Sequence, residues 1–161
     1  MKFIPYYSLL AVSLLFLSGC VGGANNEGTL AELNSKNIQR LVNMYYAFQS
    51  SHEWRGPDDE EEFKEFIKNY PKRKLERIGI DASQVDDLFI NERDGEPFKV
   101  KYQVEGNMMG CSEAVVFEQT GVNGKKMIGF LDMVQEEFDD SDYEKIWAGE
   151  MQRASVEKAR L

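Results

Sequence analysis

Residues 114–131 read AVVFEQTGVNGKKMIGFL. Ala114-Val115-Val116-Phe117-Glu118 is a short apolar run of the kind a central strand carries. Lys125 to Leu131 is a second strand candidate, and Asn123-Gly124 between them is a strong hairpin turn signal. Upstream, Phe98-Lys99-Val100-Lys101-Tyr102-Gln103-Val104 alternates apolar and polar residues, as a half-buried strand does. Asp94-Gly95 turns the chain into it. Met133 to Phe138 can add a further strand. The expectation is an antiparallel sheet of three or four strands.

Helical signals flank this sheet. Thr29 followed by Glu32 reads as a capping box. After it, Leu30, Leu33, Ile38, Leu41, Val42, Tyr45 and Phe48 recur at helical steps, predicting one long helix over about 29–50. Residues 50–57, Ser-Ser-His-Glu-Trp-Arg-Gly-Pro, break the pattern. Asp58 or Asp59 can cap a short second helix with Phe63, Phe66 and Ile67 inward, and its acidic opening suits the helix dipole. Residues 70–96 read as irregular, with one helical turn at 85–89. Asp139-Asp140-Ser141-Asp142 starts a closing helix with Tyr143, Ile146 and Trp147 apolar. The class is α+β: a long N-terminal helix packed on a small antiparallel sheet, with a short second helix and a C-terminal helix.

The first residues carry a different signal. Lys2 is the one charge before Glu27, and residues 8–17, SLLAVSLLFL, are ten uncharged positions ending at Leu17-Ser18-Gly19-Cys20. A charged start, a short apolar core and small residues at the end describe an export signal. The run is too short to span a bilayer, which takes about 20 residues. Leu-Ser-Gly-Cys resembles the bacterial lipobox. The resemblance implies cleavage between Gly19 and Cys20 and acyl chains attached at Cys20, which hold the protein on a lipid bilayer. Val21 stands where an aspartate would imply retention at the inner membrane, so the resemblance implies the outer membrane, periplasmic face. The expected organisation is a cleaved signal at 1–19, a lipidated tether at 20–28, one domain at 29–150 and a polar tail at 151–161.

Net charge is −9, from 28 acidic and 19 basic residues. That balance disfavours nucleic acid, whose phosphates need a basic patch. It also disfavours flat adhesion to an anionic bilayer, leaving attachment to the lipid. Calcium or a basic protein partner remains compatible. With Cys20 lipidated, Cys111 cannot form a disulfide within the chain. It reads as a small buried hydrophobe, with an intermolecular disulfide as the alternative.

Candidates for chemistry are weak. His52 is the sole histidine, beside Ser50 and Ser51, and reads as a loop residue. Trp54 reads as a lid on the core, and His52 with Trp54 forms the candidate partner-contact loop. Asp139, Asp140 and Asp142 are either a helix cap or a weak calcium site, and they miss the EF-hand spacing. Carboxylate pairs such as Glu53 with Asp58, or Glu118 with Glu136, are the only material for a hydrolase, which would need two acids facing one cleft. The expectation is no enzyme, no resident cofactor and no metal centre.

The element order, Tyr45-Tyr46 on the first helix, Gly56-Pro57 after it, and Asp94-Gly95-Glu96-Pro97-Phe98 before the first strand resemble the soluble domain of type IV pilin-like proteins. The major pseudopilin of type II secretion is the particular likeness. Small bacterial lipoproteins with an Arg-Asp-Gly-x-Pro segment, here Arg93 to Pro97, and a Val-Val-Phe-Glu-Gln-Thr-Gly strand, here Val115 to Gly121, look similar too. The likeness covers roughly residues 35–131. A lipobox in place of a prepilin site departs from the pilin pattern, so only the fold carries over. It implies a non-enzymatic envelope domain that binds or scaffolds, with an envelope or secretion-machinery protein as partner. A calcium- or small-ligand-binding domain is the alternative, and a small hydrolase a further one.

Overall fold

The structure, a computed structural model, describes residues 36–106 and 111–153. The signal segment, Gly19, Cys20, the tether, the Thr29–Glu32 box, Met108 to Gly110 and the tail beyond residue 153 lie outside the described residues. So do the first turns of the expected long helix.

Helix α1 (Asn37–Ser51) presents Ile38, Leu41, Val42, Met44, Tyr45 and Phe48 as one buried stripe. Each large side chain so removed from water contributes about 1.5–3 kcal/mol. Asn37 fastens the helix start: its Nδ2 donates to the carbonyls of Asp87 and Ile90 at 2.8 and 2.9 Å, and its backbone N–H to Glu92 at 2.8 Å. Helix α2 (Glu60–Asn69) is capped by Asp59, whose side chain accepts from Glu62 N–H at 2.9 Å. Phe63 and Ile67 face the core as expected, and Phe66 is half-buried.

Helix α3 (Lys72–Arg77) corrects the expectation of irregular chain over 70–96. Pro71 precedes it and Leu75 is its single buried residue, so one apolar position in six gave no periodic signal. Two 3-10 turns, Ala82–Gln84 and Asp87–Phe89, follow.

Strands β1 (Lys99–Val100), β2 (Ala114–Phe117), β3 (Lys125–Phe130) and β4 (Gln135–Asp139) form one antiparallel sheet in sequential order. Asn123 and Gly124, at φ 55° and 73°, join β2 to β3 with the paired left-handed residues of a type I′ turn. Strand β1 is much shorter than its alternation predicted. The chain peels off at Gln103 (φ 58°), because other acceptors and donors capture its backbone. Gln103 N–H goes to the Pro57 carbonyl at 2.8 Å and Val104 N–H to the Tyr45 hydroxyl at 3.2 Å.

Both faces of the sheet are covered. On one side α1 lies against β2 and β3, close enough that a Cβ on Gly129 would stand 2.7 Å from Val42 Cγ2. On the other, helix α4 (Asp140–Ala148) packs Tyr143 and Ile146 over Phe117, Ile128, Phe130 and Phe138. Strand β2 is therefore buried at all four positions. A bulge between Ala114 and Val116 lets Val115 and Val116 both join the core under α1, against the usual alternation.

The tail expected from residue 151 starts as part of the body. Met151 packs on the α4 core, and Arg153 pairs with Asp132 at 2.7 Å and lies over Phe130. No described helix is long and apolar enough to cross a membrane.

Candidate functional site

Two places concentrate polar or strained residues. The first joins the two short motifs singled out in the sequence. Glu118 is buried at 1% exposure, directly after β2. Its Oε1 accepts from Asn91 Nδ2 at 2.9 Å and meets Arg93 Nε at 3.4 Å, and its Oε2 accepts from Met127 N–H at 2.7 Å. Arg93 continues to Glu137 at 2.7 Å. Asp94 accepts from Asn91 Nδ2, Glu96 N–H and Gly121 N–H at 2.9, 3.0 and 2.9 Å. Tyr143 on α4 donates its hydroxyl to the Glu118 carbonyl. A buried carboxylate is costly unless paired and hydrogen-bonded, and here each oxygen is satisfied.

The proposed carboxylate pair, Glu118 with Glu136, is not brought together. Glu136 and Glu137 are neighbours on β4, so they point to opposite faces. It is Glu137 that reaches toward Glu118, and the Arg93 guanidinium fills the space between them. A hydrolytic pair needs that space for substrate and water. Glu53 and Asp58 do not form one either: Asp58 is held by Arg55 at 2.7 Å, and Glu53 is exposed.

The second place is the loop after α1. Glu53 and Trp54 have φ of 54° and 67°, two consecutive left-handed residues that are not glycine. Such conformations cost about 1–3 kcal/mol each and persist where surroundings enforce them. Here Trp54 N–H donates to the Gln49 carbonyl and Gly106 N–H to the Trp54 carbonyl, both at 2.8 Å. Buried Gln49 donates its side-chain amide to the Val104 carbonyl at 2.8 Å. The Trp54 indole stands edge-on to Tyr46, 6.0 Å between centroids, and Tyr46 is 40% exposed.

His52 is turned away from this ledge. Its ring stacks on Phe48 at 3.9 Å and 7°. Nδ1 lies 2.8 Å from the Phe48 carbonyl, an acceptor, so that nitrogen carries the proton and cannot take one from Ser51. The Ser51 hydroxyl itself bonds the carbonyls of Ala47 and Phe48 at 3.0 and 2.9 Å. The nucleophile–base arrangement of a hydrolase is not formed here. Both residues of the expected contact loop are half-buried, Trp54 against Tyr46 and His52 against Phe48.

The acidic cluster before α4 is occupied by structural duties. Asp139 is the N-cap, accepting from Asp142 N–H at 3.0 Å, Asp140 pairs with Lys126 at 3.0 Å, and Asp142 meets Lys145 at 3.4 Å. No group of three potential metal ligands occurs among the described residues. Cys111 is half-buried against the core under α1. Burial pushes the Tyr45 phenol up to about 12, the hydrogen bond from Val104 pulling it back in part. Burial also lowers the Lys101 ammonium, whose Nζ donates to the Ile146 carbonyl in the last turn of α4 at 3.3 Å.

Sequence reasoning missed Arg93 and Asn91 as partners of Glu118, since they lie more than twenty residues away, and it missed Tyr46 as the partner of Trp54. A Tyr at 46 outside the apolar stripe of α1 was the available signal. Comparison with protein-family models, with curated proteins and with solved structures gives no match to this chain.

Proposed function

We propose that this chain is an exported lipoprotein, held on the outer membrane by acyl chains at Cys20, whose folded domain works by binding rather than catalysis. The observation that carries the reading is Leu17-Ser18-Gly19-Cys20 at the end of ten uncharged residues. Two or more acyl chains give stable anchoring at about 0.8 kcal/mol per buried CH₂, where one chain is marginal.

A pilin-like domain type fits the helix laid over an antiparallel sheet and the Asp94-Gly95-Glu96-Pro97-Phe98 entry to its first strand. The binding role is supported by the exposed Tyr46 ring standing against half-buried Trp54 of the left-handed Glu53-Trp54 turn. Trp54 and Tyr46 form a rigid aromatic ledge on an enforced loop, and rigid aromatics are the usual anchors of protein interfaces. The partner proposed for the ledge is an envelope or secretion-machinery protein.

Growth with labelled palmitate tests the anchor: wild type carries label in the membrane fraction, and Cys20→Ala carries none. An unlabelled wild-type protein would sink the anchor. Crosslinking and capture with the Tyr46→Ala/Trp54→Ala form beside wild type tests the ledge, and identical partners in both would exclude it.

A further inference from the structure

The charge of this protein is unevenly spread. Lys68, Lys72, Arg73, Lys74 and Arg77 place five cations in ten residues that hold a single carboxylate, Glu76, in a chain of net charge −9. All five are exposed. Helix α3 gives them a direction. At 3.6 residues per turn, successive side chains stand about 100° apart. With Leu75 buried, Arg73 and Arg77 point almost directly outward, Lys74 lies to one flank, and Lys72 with Glu76 lies to the other.

Elsewhere Arg55, Lys64, Arg93, Lys126, Lys145 and Arg153 sit in ion pairs of 3.4 Å or less, Lys101 donates to the Ile146 carbonyl and Lys99 lies over the Trp147 ring. In this patch the one ion pair among the described residues is Lys72 with Glu76, at 3.8 Å. Lys74 rests over the ring of Tyr70, 5.5 Å from its centroid, and Tyr70 is half-buried against Phe66. A tyrosine among exposed cations is a composition suited to the headgroup layer of a bilayer, which takes an apolar ring and a polar tip together.

We infer that α3 is a membrane-docking face, in which Arg73, Arg77 and Lys74 seat the domain on anionic phospholipid headgroups. This deepens the lipid-anchor reading and rests on it. The whole-chain charge does not forbid it, because surface charges are screened beyond about 8 Å at physiological salt. The acidic first turn of α2, Glu60 to Glu62, lies roughly 10 Å along the helix axis from Lys68 at 1.5 Å per residue. The nearer carboxylates are Glu65, Glu76, Asp81 and Asp86; Asp81 is turned onto Ser83 N–H and Oγ at 2.9 and 2.8 Å, and Asp86, which also acts on Lys68, pairs with Lys64 at 2.6 Å.

Each cation near an anionic surface contributes about 1 kcal/mol, so three to four give an affinity near the millimolar range. That is too weak to recruit a free protein. A short tether supplies an effective concentration on the order of millimolar, enough to keep an anchored domain docked much of the time. The patch therefore orients a molecule that the acyl chains retain.

The test uses the full chain carrying Cys20→Ser, sedimented at millimolar lipid with vesicles of phosphatidylcholine alone or mixed equally with phosphatidylglycerol. The N-terminal segment is common to every variant, so differences report on the folded part. Expected is extra binding to the phosphatidylglycerol vesicles, reversed by salt, and weakened about thirtyfold by Arg73→Gln/Arg77→Gln at ~1 kcal/mol per cation. Lys36→Gln/Lys125→Gln removes the same charge elsewhere and should retain the binding. Equal binding to both lipids, or equal loss in both double variants, overturns the docking face. If Arg73→Gln/Arg77→Gln instead abolishes self-association in sedimentation equilibrium without any lipid preference, the patch meets a second copy, and the membrane is excluded. Palmitate labelling reads the anchor separately, so either idea can fail alone.

Discussion

Asp94 accepts a hydrogen bond from the backbone N–H of Gly121 at 2.9 Å, across 27 residues of chain. This single contact ties the turn before β1 to the end of the strand segment that follows β2. With Asn91 bridging Asp94 to buried Glu118, it makes the two short motifs one structural clasp.

Asp94→Ala removes a charged acceptor of three hydrogen bonds, and hydrogen bonds to charged groups are worth about 1.5–3 kcal/mol. A loss of about 2–3 kcal/mol in urea unfolding is expected, with Asp94→Asn costing less because one acceptor oxygen remains. A loss under half a kcal/mol would show that the clasp is incidental.

Glu118→Ala should cost more, about 3–5 kcal/mol. It leaves Asn91 and Met127 N–H without their acceptor and removes one of the two carboxylates flanking Arg93. Glu118→Gln keeps one acceptor and should fall between that variant and wild type in the same denaturation series.

Gly129→Ala probes the seat of α1 on the sheet. Its Cβ would stand 2.7 Å from Val42 Cγ2 and 3.1 Å from Ile38 Cγ1, so those side chains or the helix that carries them must shift. Overpacking of that kind costs about 1–3 kcal/mol, read as a lowered Tm. Gly129→Ala combined with Val42→Ala should recover part of the loss, since the smaller side chain opens the contact.

Glu62 reports on acid sensitivity. The Arg55 side chain, then the Asp58 backbone N–H, hold its carboxyl below the ordinary 4.5. A carboxylate with a lowered folded value stabilises the fold above its unfolded value, and that contribution disappears as pH falls through the folded one. Both side chains are more than a third exposed or near it, at 43% and 35%, so screening limits the effect to about 0.5–1 kcal/mol. Glu62→Gln should be less stable than wild type at neutral pH, and the difference should shrink progressively as pH is lowered below 4.5. A difference that persists undiminished in acid would contradict the ion pair.

The local elements were legible in the chain, and for local reasons. Asn123-Gly124 carries the φ that a hairpin turn requires, Asp59 and Asp139 offer oxygens to the first N–H groups of their helices, and the stripe from Ile38 to Phe48 follows the helical period. Only the tertiary structure decided what those elements meet. Strand β1 stops after Val100 because Tyr45 and Pro57, more than forty residues earlier, take the backbone groups of Gln103 and Val104. Glu118 is buried because Asn91 and Arg93 arrive beside it, and nothing adjacent in the chain announces them. Helix α3 forms around one buried leucine and so leaves no period to read, yet its folding is what turns a scatter of basic residues into a single outward face. Periodicity, caps and turns are encoded within a few residues, whereas pairing and charge placement depend on loop closures that only the packed chain completes.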